Sequence, residues 1–321
     1  MKKFLLPLLA TACLAPLSSV GQTWPTRPPV IIVSQSAGGS IDIAARLIGQ
    51  KLGDAMGTNF VIENKQGANG MIAGSAAARA PADGYTFLMT SPSTLTINQS
   101  VYKKVPYDTL KDFTPVTQTT SISFLLTVNA DSPYKSLADL IAAAKVKPEA
   151  IRYASAGTGN QSHLAAELLA GAAGVKMLHV PYKGEAQAIV DLLGGQVDFI
   201  FGTMPALLPH VKSGKLRALA VGQTRRSAAV PDVPTTVESG YPTVLVSGWT
   251  GIVAPTGTPA PIVGRLHDEV VKALAQPDVR NTLAKAGAEP VGSTPGQFGD
   301  FIKGEIVKWG SAVKQAGVTA E

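Results

Sequence analysis

Short apolar runs and helical segments alternate along nearly the whole chain, and few folds accept that order. Val30-Ile31-Ile32-Val33 is a continuous apolar run of the kind a buried parallel strand carries. It ends at Ser36-Ala37-Gly38-Gly39-Ser40, after which Ile43, Ala44, Leu47, Ile48 and Leu52 recur with helical spacing. Ser40 is placed to cap that helix and Asp42 falls in its first turn. Strands are predicted at 60–62, 85–89, 124–128, 151–154, 177–180, 197–201 and 216–221, followed by a β-rich stretch over 244–253. Helices are predicted at 71–78, 137–147, 162–172, 185–193 and 206–213, and three more, 261–275, 278–286 and 295–316, close the chain. Ser136 and Asp139 open the 137–147 helix in capping-box spacing. The alternation predicts an α/β architecture with mostly parallel sheets.

A chain of 321 residues suggests about two domains. With 45% hydrophobic and 16% charged residues it can bury sizeable cores and is not a disordered chain. The formal net charge of +6 comes from scattered residues rather than blocks, so no nucleic-acid partner is expected. A lone cysteine, Cys13, supplies neither an internal disulfide nor a thiolate zinc site. His163, His179, His210 and His267 never stand in HxxxH spacing, and no metal is expected. Gly157-x-Gly159-x-x-Ser162 lacks the last glycine of a dinucleotide fingerprint, and no acidic strand end follows about 20 residues on. P-loop, HExxH and GxSxG patterns are absent, and no cofactor is expected.

Lys2 and Lys3 precede an apolar stretch, residues 4–17, and the small residues Ser18, Ser19 and Gly21. That is the pattern of a secretory signal, with cleavage expected after Gly21, and it is too short and interrupted for a comfortable membrane span. Lipidation at Cys13 is the alternative, although the leucine such a site carries three residues upstream is missing. The mature protein is expected in the periplasm.

Two strand–glycine-loop–helix units about 120 residues apart stand out. One loop runs from Ser34 to Asp42 and includes Ser36, Ala37, Gly38 and Gly39. The other runs from Ser155 to His163 and includes Gly157, Thr158 and Gly159. Each is either an ordinary strand-to-helix turn or an anion seat built from bare backbone N–H groups and a helix dipole. In open sheets, ligands sit beyond the carboxyl ends of strands, where both loops fall. Ser155 with His163 as its base is a conceivable hydrolase pair, but no nucleophile elbow or triad spacing supports it. Lys183 is either an exposed turn lysine or a cleft cation, and Trp249 either core or ligand platform. Ser91-Pro92-Ser93 either lines the cleft or only ends a strand.

Read together, the motifs resemble the Bug (TctC-type) family of extracytoplasmic solute receptors, the substrate-binding components of tripartite tricarboxylate transporters. The resemblance runs from Trp24-Pro25 to the final helix. It includes Ala37-Gly38-Gly39-Ser40-Ile41-Asp42, Glu63-Asn64-Lys65-x-Gly67-Ala68-x-Gly70 and Asp83-Gly84-Tyr85-Thr86. It continues through Tyr153-Ala154-Ser155-Ala156-Gly157-x-Gly159, His179-Val180-Pro181-Tyr182-Lys183-Gly184 and Gly194-Gly195-Gln196-Val197-Asp198. Gly214-Lys215-Leu216, Pro231-Asp232-Val233-Pro234-Thr235 and Ala254-Pro255-x-Gly257-Thr258-Pro259 complete it.

The resemblance implies a two-lobed periplasmic binding protein of type II, closing like a Venus flytrap, with two crossovers between the lobes. The β-rich stretches 114–128 and 244–253 suit those crossings, giving lobe one as 22–121 plus 249–321 and lobe two as 122–248. By motif, Ser36, Ala37, Gly38, Gly39, Asp42, Ser155, Gly157, Thr158, Gly159 and His163 become ligand-binding, with Ser91, Lys183 and Thr203 near the cleft. The implied ligand is a small organic carboxylate, and the implied partners are the membrane components of a secondary transporter, or a signalling system if the protein is a sensor. A monomer without enzymatic activity is expected. One departure is visible: the family's proline–aromatic pair is replaced by Ser34-Gln35, where Gln35 either bonds the ligand or fills the space.

Overall fold

The computed structural model describes residues 24–319. The signal-like segment, its cleavage point and Cys13 lie outside the described residues. In chain order the first elements are β1 (Val30–Val33), α1 (Ser40–Met56), β2 (Val61–Asn64), α2 (Met71–Ala78), β3 (Thr86–Thr90), α3 (Asn98–Val101), α4 (Thr109–Asp112) and β4 (Phe113–Asn129). Next come α5 (Leu137–Val146), β5 (Arg152–Ser155), α6 (Gln161–Ala173), β6 (Leu178–Pro181), α7 (Glu185–Leu193), β7 (Phe199–Thr203), α8 (Met204–Lys212) and β8 (Leu216–Val221). The chain closes with β9 (Ser247–Pro255), α9 (Ala260–Ala275), α10 (Pro277–Lys285), β10 (Ala288–Pro290) and α11 (Pro295–Ala316). Among the described residues, no helix is long and apolar enough to cross a membrane.

β4 is the hub. Its first part, 113–123, pairs antiparallel with β9, and Thr120–Ile122 also pair with β10. Its second part, 124–129, pairs antiparallel with β7 and β8. β1 lies between β2 and β3, parallel to both, and β9 continues that group antiparallel to β3. In the other group β5 lies between β6 and β7, parallel to both. The expectation of mostly parallel sheets is therefore corrected: among the strands described, parallel pairing joins only β2-β1-β3 and β6-β5-β7, and the other strand pairs are antiparallel. β4 carries the chain out of the first group and β9 brings it back, so the two run in opposite directions.

Local chemistry explains most boundaries. The Ser136–Asp139 capping box forms as spaced, each side chain meeting the other's backbone N–H. Ser40 is not the N-cap of α1 but its first helical residue; Gly39 holds the cap position, and no side chain bonds there from that residue. α11 opens on a second capping box, Thr294 with Gln297, with Pro295 at its first position.

Two cores result. One gathers Ile31, Val33, Ile48, Phe87, Ile252 and Leu266. The other gathers Phe124, Leu126, Tyr153, Leu164, Phe199 and Phe201. α11 serves both groups. Phe298 and Ile302 pack with Leu88, Trp249 and Val253, whereas Trp309 and Val313, two to four turns later, pack with the Phe124 and Phe199 core. Burial of each such side chain contributes roughly 1.5–3 kcal/mol. Between the two halves of α11, Glu305 accepts hydrogen bonds from Trp249 Nε1 (3.0 Å) and Trp309 Nε1 (2.8 Å) through one carboxylate oxygen.

Candidate ligand-binding site

β1 and β5 end at the same cleft, and the helices that follow them, α1 and α6, start there. The cleft has an outer cavity of about 550 Å³ and a contiguous inner compartment of about 40 Å³. Gln35, Ile41, Ser91, Ser93, Ala156 and Asn160 line both. One wall of the outer cavity is the 66–70 turn with Thr94 and Tyr102; the facing wall is Gly157, Thr158 and the Pro181–Gly184 turn. Glu185, Thr203, Trp249 and Thr250 line the inner compartment.

The first loop is held by its own side chains. Asp42, 3% exposed, accepts from the Gly38 N–H (2.9 Å), from Asn64 Nδ2 (2.9 Å) and from Arg46 Nε (3.0 Å). Burial pushes its carboxyl up, but Arg46, the Gly38 N–H and Asn64 outweigh that and hold it below the ordinary carboxylate range. Gln35 Oε1 accepts from the Ile41 N–H (3.1 Å), so the residue that departs from the family pattern caps α1 itself. A Cβ at Gly39 would lie 2.3 Å from that oxygen, which explains the glycine.

The second loop is tied in the same manner. Ala156 N–H donates to Ser162 Oγ (2.9 Å), Gly159 N–H to His163 Nδ1 (2.9 Å) and Ser162 N–H to Asn160 Oδ1 (3.0 Å). Several loop amides, those of Gly38, Ile41, Ala156, Gly159 and Ser162 among them, are therefore engaged within the loops and are not bare donors. What faces the cleft is chiefly hydroxyl and amide side chains. Lys183 is the one basic side chain among the lining residues; it is exposed on its turn.

The expected site residues separate accordingly. Ser36, Ser91, Gly157, Thr158, Lys183 and Thr203 line the cleft. Ala37, Gly38, Gly39, Asp42, Ser155, Gly159 and His163 do not; they shape the loops behind it. Gly157 and Gly159 have φ of +137° and +70°, which glycine accommodates. Gln35 and Ser93, each weighed above with an alternative, line the cleft, as does Asn160 within the second loop; Thr94, Asn69, Tyr102 and Glu185 line it without a signal read from the sequence as binding. The Gly67-Ala68-x-Gly70 motif was the available signal for Asn69.

His163 and His179 stack with ring centroids 3.7 Å apart, and Tyr153 stacks on His179 at 5.0 Å. Desolvation holds both imidazoles neutral, His163 down to about 4 and His179 to about 3, the latter also depressed by His163. The hydrolase pairing is overturned. Ser155 Oγ lies 2.6 Å from His179 Nε2 rather than on His163, and Ser155 is 0% exposed, out of reach of any substrate. Among the described residues, no cluster of His, Cys, Asp and Glu is placed to hold a metal ion.

The walls touch across the cleft. Asn69 Nδ2 (2.5 Å) and Tyr102 Oη (3.1 Å) both donate to the Thr158 carbonyl, and Gln161 N–H donates to Ser93 Oγ (3.3 Å). Asn69 adopts φ +50°, with its own carbonyl held by Asn98 Nδ2 at 3.1 Å.

A family model described as tripartite tricarboxylate transporter family receptor matches residues 44–318. Protein BugT of Bordetella pertussis (strain Tohama I) is 39% identical over 311 residues, 96% of this chain and 95% of its own. R. palustris Rpa4515, solved with adipate, superposes with a TM-score of 0.90 at 37% identity, covering 92% of this chain and 99% of that one. The periplasmic binding protein BugD gives 0.89 at 34%, covering 93% and 100%. MatC (Rpa3494) from Rhodopseudomonas palustris, with bound malate, gives 0.86 at 33%, covering 90% and 100%.

Proposed function

The chain belongs to the tripartite tricarboxylate transporter receptor family, and on that premise we propose that it is an exported solute-binding protein that closes on a small organic carboxylate and delivers it to the membrane components of a secondary transporter. The observation that carries this reading is the convergence of the α1 and α6 N-termini on one cleft lined by hydroxyls and amides. Two positive helix ends favour an anion, and a hydroxyl- and amide-lined wall orients it. The adipate and malate bound by two similar proteins set the scale of the ligand. Ser36, Ser91, Ser93, Thr158, Asn160, Lys183 and Thr203 are the contacts we assign to it. The two strand groups act as lobes, 22–121 with 249–321 and 122–248, moving about β4 and β9 while α11 spans both.

Thermal-shift titration with adipate and malate tests the reading, because a ligand that binds the native state raises its apparent stability. A charge-assisted hydrogen bond contributes roughly 1.5–3 kcal/mol, and a helix N-terminus about 0.3–1. Replacing the carboxylates by carboxamides is therefore expected to cost on the order of 2–4 kcal/mol, or about 30- to 1,000-fold in affinity. Equal binding of acid and amide would overturn the anion reading. No shift with either acid would overturn this choice of ligand class.

A further inference from the structure

Glu185, the first residue of α7, is a buried acid in a cleft read as an anion seat. It is 3% exposed and lines the inner compartment together with Ser91, Ser93, Asn160 and Gln161. Both carboxyl oxygens are turned onto one residue: Oε1 accepts from the Thr203 N–H (2.5 Å) and Oε2 bonds the Thr203 hydroxyl (2.6 Å). A carboxyl group has more hydrogen-bonding capacity than these two contacts use. Among the described residues, Glu185 forms no ion pair with any lysine, arginine or histidine.

Besides Thr203, the positive ends of α7, which Glu185 opens, and of α8, which Thr203 caps, favour its ionised form, but among the described residues no cation compensates its burial. α7 packs on β4, β5, β7 and α8. β4 and β7 carry no titratable side chain. On β5, Arg152 is held by Asp198 at 3.3 Å, and Tyr153 donates to Glu167. On α8, His210 and Lys212 stand in the last turn, at the end of that helix remote from Thr203. Lys183, two residues before Glu185, is exposed on the turn. Across the cleft, Asp42 is committed to Arg46, and His163 and His179 are neutral.

With the cleft read as a carboxylate seat, we propose that Glu185 reads the buried end of the ligand as a neutral acid, donating its proton to a carboxylate oxygen, so that above neutral pH the protein takes up one proton as the anion seats. Two carboxyl groups sharing a small, cation-free space do not both ionise. Burial pushes the Glu185 carboxyl up to about 7, against the pull of its two Thr203 hydrogen bonds, so the uptake falls near neutrality. No bond other than the hydrogen bond forms, and the proton comes from solvent. The neutral acid adds a donor at a depth Lys183 does not share.

The test is calorimetric titration of the full chain with adipate between pH 5.5 and 8.5, in two buffers of different ionisation enthalpy. Below pH 7 the affinity is expected to be flat. Above it, affinity should fall by about tenfold per pH unit, with buffer-dependent heats reporting one proton taken up per adipate bound. Glu185→Gln keeps a donor that cannot titrate, and should bind adipate with neither slope nor proton uptake. Thr203→Val removes the hydroxyl that favours the ionised form and should move the break to higher pH. A flat wild-type profile without proton exchange would overturn the proposal, as would an unchanged slope in Glu185→Gln. Should Glu185→Gln fail to fold, the wild-type slope and buffer-dependent heats decide alone. Absence of adipate binding at every pH would instead strike the carboxylate reading on which the proposal rests.

Discussion

The side-chain amide of Asn69 donates to the carbonyl of Thr158 at 2.5 Å, and the two residues stand on opposite walls of the cleft. Tyr102 donates to the same carbonyl, so one acceptor gathers two donors from the facing wall. A net hydrogen bond contributes about 0.5–1.5 kcal/mol, so Tyr102→Phe is expected to weaken adipate binding by roughly 2- to 12-fold. The unfolding midpoint of the free protein should move little. Adding Asn69→Ala should deepen the loss, not additively, because both donors share an acceptor. Calorimetry on the two single variants and the double variant checks this; undiminished affinity in the double variant would remove the latch.

Gly157 and Gly38 both have positive φ, but their surroundings differ. A Cβ at Gly157 would lie 2.6 Å from Asn69 Oδ1, across the cleft, whereas one at Gly38 meets nothing within 4 Å. Gly157→Ala is therefore expected to wedge the walls apart, with more than about tenfold loss of affinity, over 1.4 kcal/mol. Its radius of gyration with adipate should exceed that of the wild type. Gly38→Ala should cost about 1–2 kcal/mol of stability through its left-handed backbone and leave affinity nearly unchanged. Small-angle scattering together with denaturant unfolding separates the two outcomes.

Glu305 is the acceptor for two buried indoles. Glu305→Ala leaves both N–H groups unsatisfied, at about 1–3 kcal/mol each, so urea unfolding should show a loss of roughly 2–5 kcal/mol. Glu305→Gln keeps a carbonyl oxygen and should lose less than half as much.

The stacked His163 and His179 make the fold sensitive to acid. Both are held neutral below their ordinary value of 6.5. The unfolded chain binds protons at these sites before the native one does, so their contribution is complete above pH 6.5 and is lost as pH falls below it. Between pH 7 and pH 5 the loss for His163 is on the order of 2 kcal/mol, and somewhat less for the more exposed His179. Urea unfolding at both pH values should show it, and His179→Phe should shrink the difference. An equal difference in that variant would assign the acid sensitivity elsewhere.

Much of the fold was legible because helical and strand periodicities are local. α2, α7, β8 and α11 fall at the spans the apolar spacing predicts. The first half of β4 was less plain as core, since Thr117, Gln118, Thr119 and Thr120 are polar yet buried. Their place inside depends on distant partners, as when Thr119 and Thr120 bond Thr250 Oγ1 at 2.6 Å. At the site, the two glycine loops were visible as turns feeding helices. Which of their amides remain available was not, because Asp42, Gln35, Ser162 and His163 take them up only once the side chains fold back. Glu185 read as nothing more than a helix start, since its burial against Thr203 is set by the meeting of α7 and β7.

The placement of α11 has a consequence for the order in which the chain can fold. Phe298 and Ile302 pack with Leu88, Trp249 and Val253 in the first strand group, and Trp309 and Val313 in the Phe124 and Phe199 core of the second. All four lie in the last 24 residues of the sequence. Each half therefore lacks part of its packing until synthesis is nearly finished, and the first part of β4 pairs with β9 only after more than a hundred further residues. Removing α11 is therefore expected to weaken both strand groups at once rather than one of them.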